Sequence, residues 1–290
     1  MKNIVLSDHA SQQIAAAQQA RQSEHARAQA ASEERQAPAK ARSDWLGAHA
    51  RQALESYRYV TWLFLNVVRY LHDFTWGMLS WRMPELAPAG HSEAIWSAGS
   101  QGEQLVKAKL AGVLGDEFTL VSGYKNQKGE IDQILVGPNG VICIEIKYLN
   151  GHISCVGDVW SRDRYDQCGN LVESNLPIRD KGGRGPSAQL NESANRLEEF
   201  LRQRMGIERV CRAVVFAHEG SVLRSIRAPT VDVVSDLKTF GVWRLIDEMP
   251  RNACRVSVEE VVGLICRDHE FHTRKSAQYR ASKAARTPGN

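Results

Sequence analysis

Features that would identify a zinc finger, a dithiol redox enzyme or a secreted protein are missing from this sequence. The six cysteines of the 290 residues lie far apart and form no Cys-x-x-Cys pair, so their spacing predicts neither a zinc site nor a redox pair. We interpret them as reduced thiols, which are typical of the cytosol. The N-terminal apolar stretch is too short for a secretory signal, and no small-residue cleavage site follows it. These absences predict a cytoplasmic protein.

A strong excess of charge is also missing. Lys and Arg number 37 and Asp and Glu number 33, which gives a formal net charge of +4 and neither requires nor excludes a polyanionic partner. Five cations and no acid fall in 273–290, so we interpret 271–290 as a disordered basic tail for which nucleic acid and anionic lipid are both open partners. Because the rest of the chain is nearly neutral, a nucleic-acid-binding face on the folded body must be local.

Large apolar side chains are almost absent from residues 9–42, which are rich in Ala, Gln, Arg, Ser and Glu; Ile14 is the exception. Such a composition can form helix but has little to bury. We therefore interpret 1–42 as a low-complexity tether, either helical or disordered, that is broken at Pro38.

Residues 57–82 are, by contrast, apolar and aromatic. At about 100° per residue their polar side chains gather in one arc, which predicts an amphipathic helix within a second segment, 43–90, that ends in a linker at 84–90. Aromatic residues near both ends are typical of a membrane interface, but Arg69 and Asp73 near the middle argue against a membrane span. Three alternatives stay open: packing on the domain or on a second copy of the chain, contact with a membrane surface, and a spanning helix.

Residues 91–270 have the pattern of a compact mixed α/β domain. Helices are predicted over 100–115, 187–205, 237–247 and 258–267, the last with a capping box at Ser257 and Glu260. Strands are predicted over 118–124, 130–136, 141–147, 152–156, 158–161, 210–217 and 231–234, with a turn signal at 137–140. This order predicts a mixed sheet flanked by helices and preceded by an N-terminal helical extension.

Two charges stand in an otherwise apolar strand at 141–147, whose composition is typical of a central strand buried on both faces. Glu145 and Lys147 are two residues apart and therefore project to the same face, where buried charges require a partner, a hydrogen bond or a metal ion. Asp132 on the neighbouring strand can reach the same place. Two carboxylates beside a lysine supply hard oxygen ligands for Mg²⁺ and a cation near an attacking water, as phosphodiester hydrolysis requires. The alternative is an ordinary cross-strand ion pair.

Several short motifs occur together around these residues: Gly102-Glu103, Gly129-Glu-Ile-Asp132, Gly140-Val-Ile-Cys-Ile-Glu145-Ile-Lys147, Gly151 and Trp160. Together they resemble the nuclease-related domain (NERD), a family within the PD-(D/E)xK, restriction-endonuclease-like superfamily. The resemblance covers 97–217, about two-fifths of the chain. It implies a restriction-endonuclease-like fold for the α/β domain.

The resemblance also implies a catalytic centre. Asp132 and Glu145 would bind a divalent metal ion, Mg²⁺ or Mn²⁺, with the carbonyl of Ile146 as a third ligand. Lys147 would position or deprotonate the attacking water.

Further residues are implied around this centre. Glu103 matches a glutamate that superfamily members often place near the metal, although Ser100 and Glu103 also fit a capping box. Gln189 matches the family's glutamine, for which a surface position is the alternative. Lys181 and Arg184 lie in a glycine-rich loop that either contacts a phosphate backbone or is simply solvated.

The sequence therefore predicts a bacterial-type, metal-dependent deoxyribonuclease in the cytosol or at the inner membrane, with DNA as its partner and a homodimer as an open assembly. The alternative is a catalytically degenerate scaffold that keeps the fold and binds nucleic acid or a membrane.

Overall fold

The computed structural model describes residues 1–80, 86–88, 90–166, 168–238, 246–247 and 257–286. The chain divides into two compact units, one of residues 13–94 and one of residues 1–12 together with 95–290. The helices of the described ranges are α1 (His9–Glu55), α2 (Tyr59–Ser80), α3 (His91–Ala111), α4 (Pro186–Met205) and α5 (Val258–Arg286). Their strands are β1 (Lys2–Val5), β2 (Thr119–Lys125), β3 (Glu130–Gly137), β4 (Gly140–Lys147), β5 (Gly151–Val156), β6 (Val159–Tyr165), β7 (Leu171–Pro177), β8 (Cys211–Phe216), β9 (Ser221–Arg227) and β10 (Val233–Asp236).

In the unit of residues 13–94, α1 continues through Pro38 without a break. The predicted break is therefore wrong. A proline costs about 3 kcal/mol inside a helix, but Ala, Gln, Glu and Arg, which are good helix formers, surround this one. The polar arc of α2 faces α1: Ser43 donates a hydrogen bond to Asp73 (3.0 Å) and accepts one from Arg69 (3.2 Å).

The opposite side of α2 is apolar and exposed. Its exposed side chains include Val60, Phe64, Val67, Leu71 and Phe74. None of the described helices has both the length and the apolar composition needed to cross a membrane. Trp81 and Arg82, which the sequence analysis placed at the end of this helix, lie outside the described residues.

The other unit is built on two mixed sheets. The larger has the strand order β1-β2-β3-β4-β8-β10, and the smaller has the order β7-β6-β5-β9. In the larger sheet β2, β3 and β4 are antiparallel neighbours, whereas β1, β8 and β10 join it in parallel. The predicted mixed α/β architecture with an N-terminal helical extension is confirmed.

Helices cover both faces of the larger sheet. On one face, α3 buries Val106 and Leu110 against side chains of β2, β3, β4 and β8. On the other, α4 and α5 bury a set of leucine, isoleucine and valine side chains against the alternate residues of the same strands. Strand β4 is fully buried except for Lys147, which confirms that it is a central strand.

The structure differs from the sequence analysis at several elements. Strands β1, β7 and β9 were not predicted, and α3 begins at His91, nine residues before the predicted start at Ser100. Since Ser100 lies inside α3, a capping box at Ser100 and Glu103 is wrong. The cap of α5 is confirmed, because the Ser257 hydroxyl accepts a hydrogen bond from the Glu260 amide (3.4 Å).

The last helix is also longer than predicted. Helix α5 runs to Arg286, whereas the sequence analysis interpreted 271–290 as disordered. Its first turns are held on the sheet, and the alanine-rich sequence that follows favours continuation of an existing helix. Most of the predicted helix over 237–247, part of the linker at 84–90, and Cys254 lie outside the described residues.

Candidate active site

The hairpin formed by β3 and β4 positions the two motif carboxylates. Registered pairing of the two strands ends at Gln133 and Ile144, so Asp132 and Glu145 are the next residues of the two strands. Opposing residues of an antiparallel pair project to the same face. The turn at 137–140 thus brings the two acids together at the end of the ladder, as the sequence predicts.

Glu145 and Lys147 form a buried ion pair. Lys147 Nζ lies 2.6 Å from Glu145 Oε1, and the Glu145 side chain is only 1% exposed. The second carboxylate oxygen, Glu145 Oε2, is buried and has no hydrogen-bond partner. Lys147 also donates to Gln189 Oε1 of α4 (3.0 Å). Gln189 is half-buried and contacts the site through Lys147, which therefore bridges a carboxylate and an amide.

Asp132 is held by the backbone of β4. Its Oδ2 accepts a hydrogen bond from the Ile146 amide (2.7 Å). The carbonyl of Lys147 accepts from Ala217 beyond β8. Because successive carbonyls of a strand point to opposite sides, the Ile146 carbonyl points toward β3, beyond the last registered pair.

Burial dominates the electrostatics of these groups. It raises the pKa of Asp132 well above its ordinary value, and the nearby Glu145 adds to the rise. It also raises the pKa of Glu145, although Lys147 opposes it. Burial alone would lower the pKa of Lys147, but Glu145 and Asp132 outweigh it and raise that pKa. The site therefore holds the charged Lys147 ammonium beside two buried carboxyl groups whose negative charge is only partly compensated by nearby positive charge.

Glu103 of α3 lines the same cleft. Burial, followed by repulsion from Glu130, Asp8 and Glu145, raises its pKa to about 7. The helix approaches the sheet closely at the preceding residue: a Cβ on Gly102 would lie 3.2 Å from the Cβ of Tyr148. Gly102 thus sets how near Glu103 comes to the end of β4.

The cleft has a volume of about 470 Å³. It contains Asp132, Glu145, Lys147, Glu103 and Gln189 together, so the structure gathers all five candidate catalytic side chains. The lining also includes residues that the sequence analysis missed, among them Ser7, Glu130 and Trp96.

Of these missed residues, Glu130 could have been predicted from the sequence, whereas Ser7 could not. Glu130 lies two residues before Asp132 on the same strand, so strand alternation could have placed it on the same face. Ser7 follows β1, which adds to the sheet beside β2 and carries no buried apolar pattern of its own. No signal in the sequence could have found it.

The donor set of this cleft fits a divalent cation. Asp132, Glu145 and the Ile146 carbonyl offer hard oxygen atoms, and the partnerless Glu145 Oε2 is a buried atom that a cation would satisfy. Among the described residues, no three His, Cys, Asp or Glu side chains are grouped so as to hold a metal ion. An ion here would therefore rest on two side chains, completed by backbone oxygen and water.

Ion pairs and hydrogen bonds hold the glycine-rich loop before α4 in place. The Arg184 guanidinium contacts Asp180 (2.7 Å) and Glu192 (2.6 Å), and the Asp180 carboxylate also accepts from the amides of Gly182 and Arg184. Two acids already neutralise Arg184, whereas Lys181 is exposed. A phosphate contact by this loop stays a prediction, and it depends mainly on Lys181.

Residues 98–217 match the family model described as Nuclease-related domain. The match confirms the resemblance drawn from the motifs and contains Asp132, Glu145, Lys147, Glu103 and Gln189. No curated protein and no solved structure matches the chain. This part of the chain, about two-fifths of its length, is therefore similar to the nuclease-related domain family.

Proposed function

We propose that this domain hydrolyses the phosphodiester bonds of DNA with the help of Mg²⁺ or Mn²⁺. The single observation that supports this most is the buried Glu145 carboxylate, which has one oxygen on Lys147 and the other without a partner. An ordinary structural ion pair would satisfy both oxygens, because a buried unpaired oxygen costs about 1–3 kcal/mol. In a site that binds a cation and a substrate, an unpaired carboxylate oxygen of this kind can coordinate the cation.

The residues of the cleft would have different roles in this reaction. Asp132, Glu145 and the Ile146 carbonyl would hold the metal ion. When bound, that ion polarises the scissile phosphate and lowers the pKa of its water. Lys147 keeps a positive charge among the carboxylates, so its ammonium can donate to the attacking water or to a phosphate oxygen. Gln189 accepts from Lys147 and fixes the direction of that ammonium.

A cleavage assay of the full chain tests the proposal. Circular and linear DNA are incubated with Mg²⁺, Mn²⁺ or EDTA, beside Glu145→Gln and a matched control at the exposed Glu208, Glu208→Gln. We expect metal-dependent cutting by the parent chain and the control, with loss in Glu145→Gln. Cutting of the circular substrate would identify an endonuclease. A Glu145→Gln variant with full activity and unchanged metal dependence would contradict the assignment.

A second proposal concerns α2, whose exposed apolar face includes Phe64 and Leu71 while its polar arc bonds to α1. We propose that this face lies on a membrane surface, where an exposed apolar helix face is stabilised. Flotation with anionic vesicles should capture the full chain but not Phe64→Ser/Leu71→Ser, with Gln29→Ser as the control. Equal flotation of all three would show that this face does not make the membrane contact, and would leave a second protein copy or another partner as its occupant.

A further inference from the structure

A second cavity, of about 540 Å³, lies between α4 and α5. Three arginines line it: Arg196 and Arg204 from α4 and Arg267 from α5. Phe200 and Phe271 line it as well, and Phe271 is 60% exposed. Arginines supply bidentate donors for phosphate, and exposed aromatic rings supply stacking surfaces for bases.

The positive charge of this cavity is not cancelled by its neighbours. None of the three guanidinium groups forms an ion pair with a carboxylate in the part of the chain that the structure describes. Four acids of the two helices are paired with other cations: Glu192 with Arg184, Glu198 with Arg212, Glu199 with Arg202, and Glu270 with Arg274. Asp268, the one acid in the lining, accepts from Tyr124 and contacts His272. The cavity is therefore lined by three arginine side chains and one carboxylate, and that carboxylate already has Tyr124 and His272 as partners.

One face of α4 connects the cavity to the active-site cleft. Gln189, Arg196 and Gln203 are seven residues apart, so they share a face of the helix. At 1.5 Å per residue, Arg196 lies about 10 Å and Gln203 about 21 Å along α4 from Gln189. At the rise of a duplex strand, about 3.4 Å per nucleotide, this distance spans roughly three to six nucleotides.

The tip of the β2–β3 hairpin lies between the two ends of that face. Asn126 donates a hydrogen bond to the carbonyl of Ser193, which falls between Gln189 and Arg196 on α4. Lys128, two residues further along the hairpin, is exposed. A nucleic acid that leaves the cleft along α4 would thus pass an exposed lysine before it reaches the arginines.

We propose that the cavity between α4 and α5 binds unpaired nucleotides of the strand that the cleft cleaves, with the arginines on phosphates and Phe271 stacked on a base. This inference deepens the proposed function and depends on it for the identity of the ligand. An unpaired strand is favoured over a duplex because a base paired in a duplex has no free face to offer Phe271. The cavity therefore extends the substrate site along α4.

Binding of labelled oligonucleotides to full-length Glu145→Gln, measured by fluorescence anisotropy against salt, tests the proposal. A strand of about ten nucleotides should bind at least about fivefold more tightly than a dinucleotide, which is too short to reach both sites. Arg196→Gln/Arg204→Gln/Arg267→Gln should remove that gain. It should also reduce the slope of log affinity against log salt by about 2, from three single-strand contacts at about 0.7 each. The paired arginines give the matched control, Arg202→Gln/Arg274→Gln.

The aromatic part of the proposal has its own readout. Phe271→Ala should weaken the long single strand by about fivefold or more, whereas Phe271→Trp should retain binding. Neither should change the affinity for polyphosphate, which has no bases. Duplex DNA that binds as tightly as the single strand and is insensitive to Phe271 would overturn the assignment to unpaired nucleotides.

The arginine variants test the phosphate contacts and separate this inference from the proposed nuclease function. A triple arginine variant that matches its control in affinity and salt slope would overturn the inference altogether. If the parent chain cleaves nothing but its single-strand binding is lost in the triple variant, the binding site stands and the proposed nuclease function fails. If cleavage occurs and binding is unaffected by these changes, the function stands and this inference fails.

Discussion

Lys147 Nζ lies 2.6 Å from Glu145 Oε1, while Oε2 of the same carboxylate is buried without a partner. The charge of Glu145 is therefore only half satisfied by the protein. Removing one member of a buried pair leaves the other uncompensated, which is more costly than removing both. The pair can be tested as a unit.

We expect Lys147→Met to destabilise the protein by about 3 kcal/mol at about pH 8. The loss should shrink near pH 5, because the raised pKa of Glu145 lets that carboxyl take up a proton once its cation is gone. The double variant Glu145→Gln/Lys147→Met should be more stable than Lys147→Met alone. Urea unfolding of the four proteins of this cycle measures the coupling. Additive losses at both pH values would contradict a buried pair.

Mg²⁺ should raise the melting temperature of the full chain, with about 2.7 kcal/mol of stabilisation at a hundredfold excess over its Kd. Since Asp132 and Glu145 have raised pKa values, protons compete with the ion, and the gain should be larger at about pH 8 than at about pH 6. Differential scanning calorimetry with EDTA as the blank measures it. Asp132→Asn should lose the gain, whereas Asp44→Asn, at an exposed position of α1, should keep it. A gain of equal size in both variants would place the ion elsewhere.

Glu103→Gln should stabilise the protein above neutral pH. The folded-state pKa of Glu103 is raised to about 7, so ionisation is harder in the folded state than in the unfolded chain. The penalty is absent below the unfolded pKa of about 4.3, grows as the pH rises toward 7, and is then constant. We expect a gain of about 1–3 kcal/mol at about pH 8 and little near pH 4, measured by urea unfolding. The exposed Glu117→Gln serves as the control, and a gain that does not depend on pH would contradict the electrostatic cause.

Two glycines of α3 provide a matched pair. A Cβ on Gly99 would meet no atom within 4 Å, whereas one on Gly102 would lie 3.2 Å from Tyr148 Cβ and 3.4 Å from Ile146 Cγ2. Gly99→Ala should therefore stabilise the helix by about 0.5–1 kcal/mol. Gly102→Val should destabilise the domain by about 1–3 kcal/mol and, under the proposed function, reduce cleavage, because α3 must move away from β4. Thermal unfolding and the cleavage assay measure both. Equal stabilisation by the two changes would show that the approach at Gly102 is not constrained.

The central hairpin shows what the sequence alone can predict. Strands β3 and β4 are local in sequence, have a clear turn between them, and carry an alternation that places Asp132, Glu145 and Lys147 on one face. Because this geometry depends only on neighbouring residues, strand periodicity was sufficient to predict it. Gln189 lies 42 residues further along the chain from Lys147, and only the family resemblance pointed to it.

The strands that were missed have no such local signal. Strands β1 and β7 are mainly exposed, with no regular succession of buried apolar residues. Each exists because a neighbouring strand offers its hydrogen-bonding edge: β2 for β1, and β6 for β7. Tertiary context decides such edge strands, so the sequence could not predict that Ser7 reaches the cleft.

The contact between Lys147 and Gln189 also affects the order in which the domain assembles. The β3–β4 hairpin closes a short loop, but α4 reaches the sheet only after the intervening strands β5, β6 and β7. A refolding chain can therefore bring both carboxylates and Lys147 together while the ammonium still lacks its amide acceptor. The orientation of Lys147 is completed by this later, long-range docking event, so the kinetics of recovered function should follow α4 rather than the hairpin.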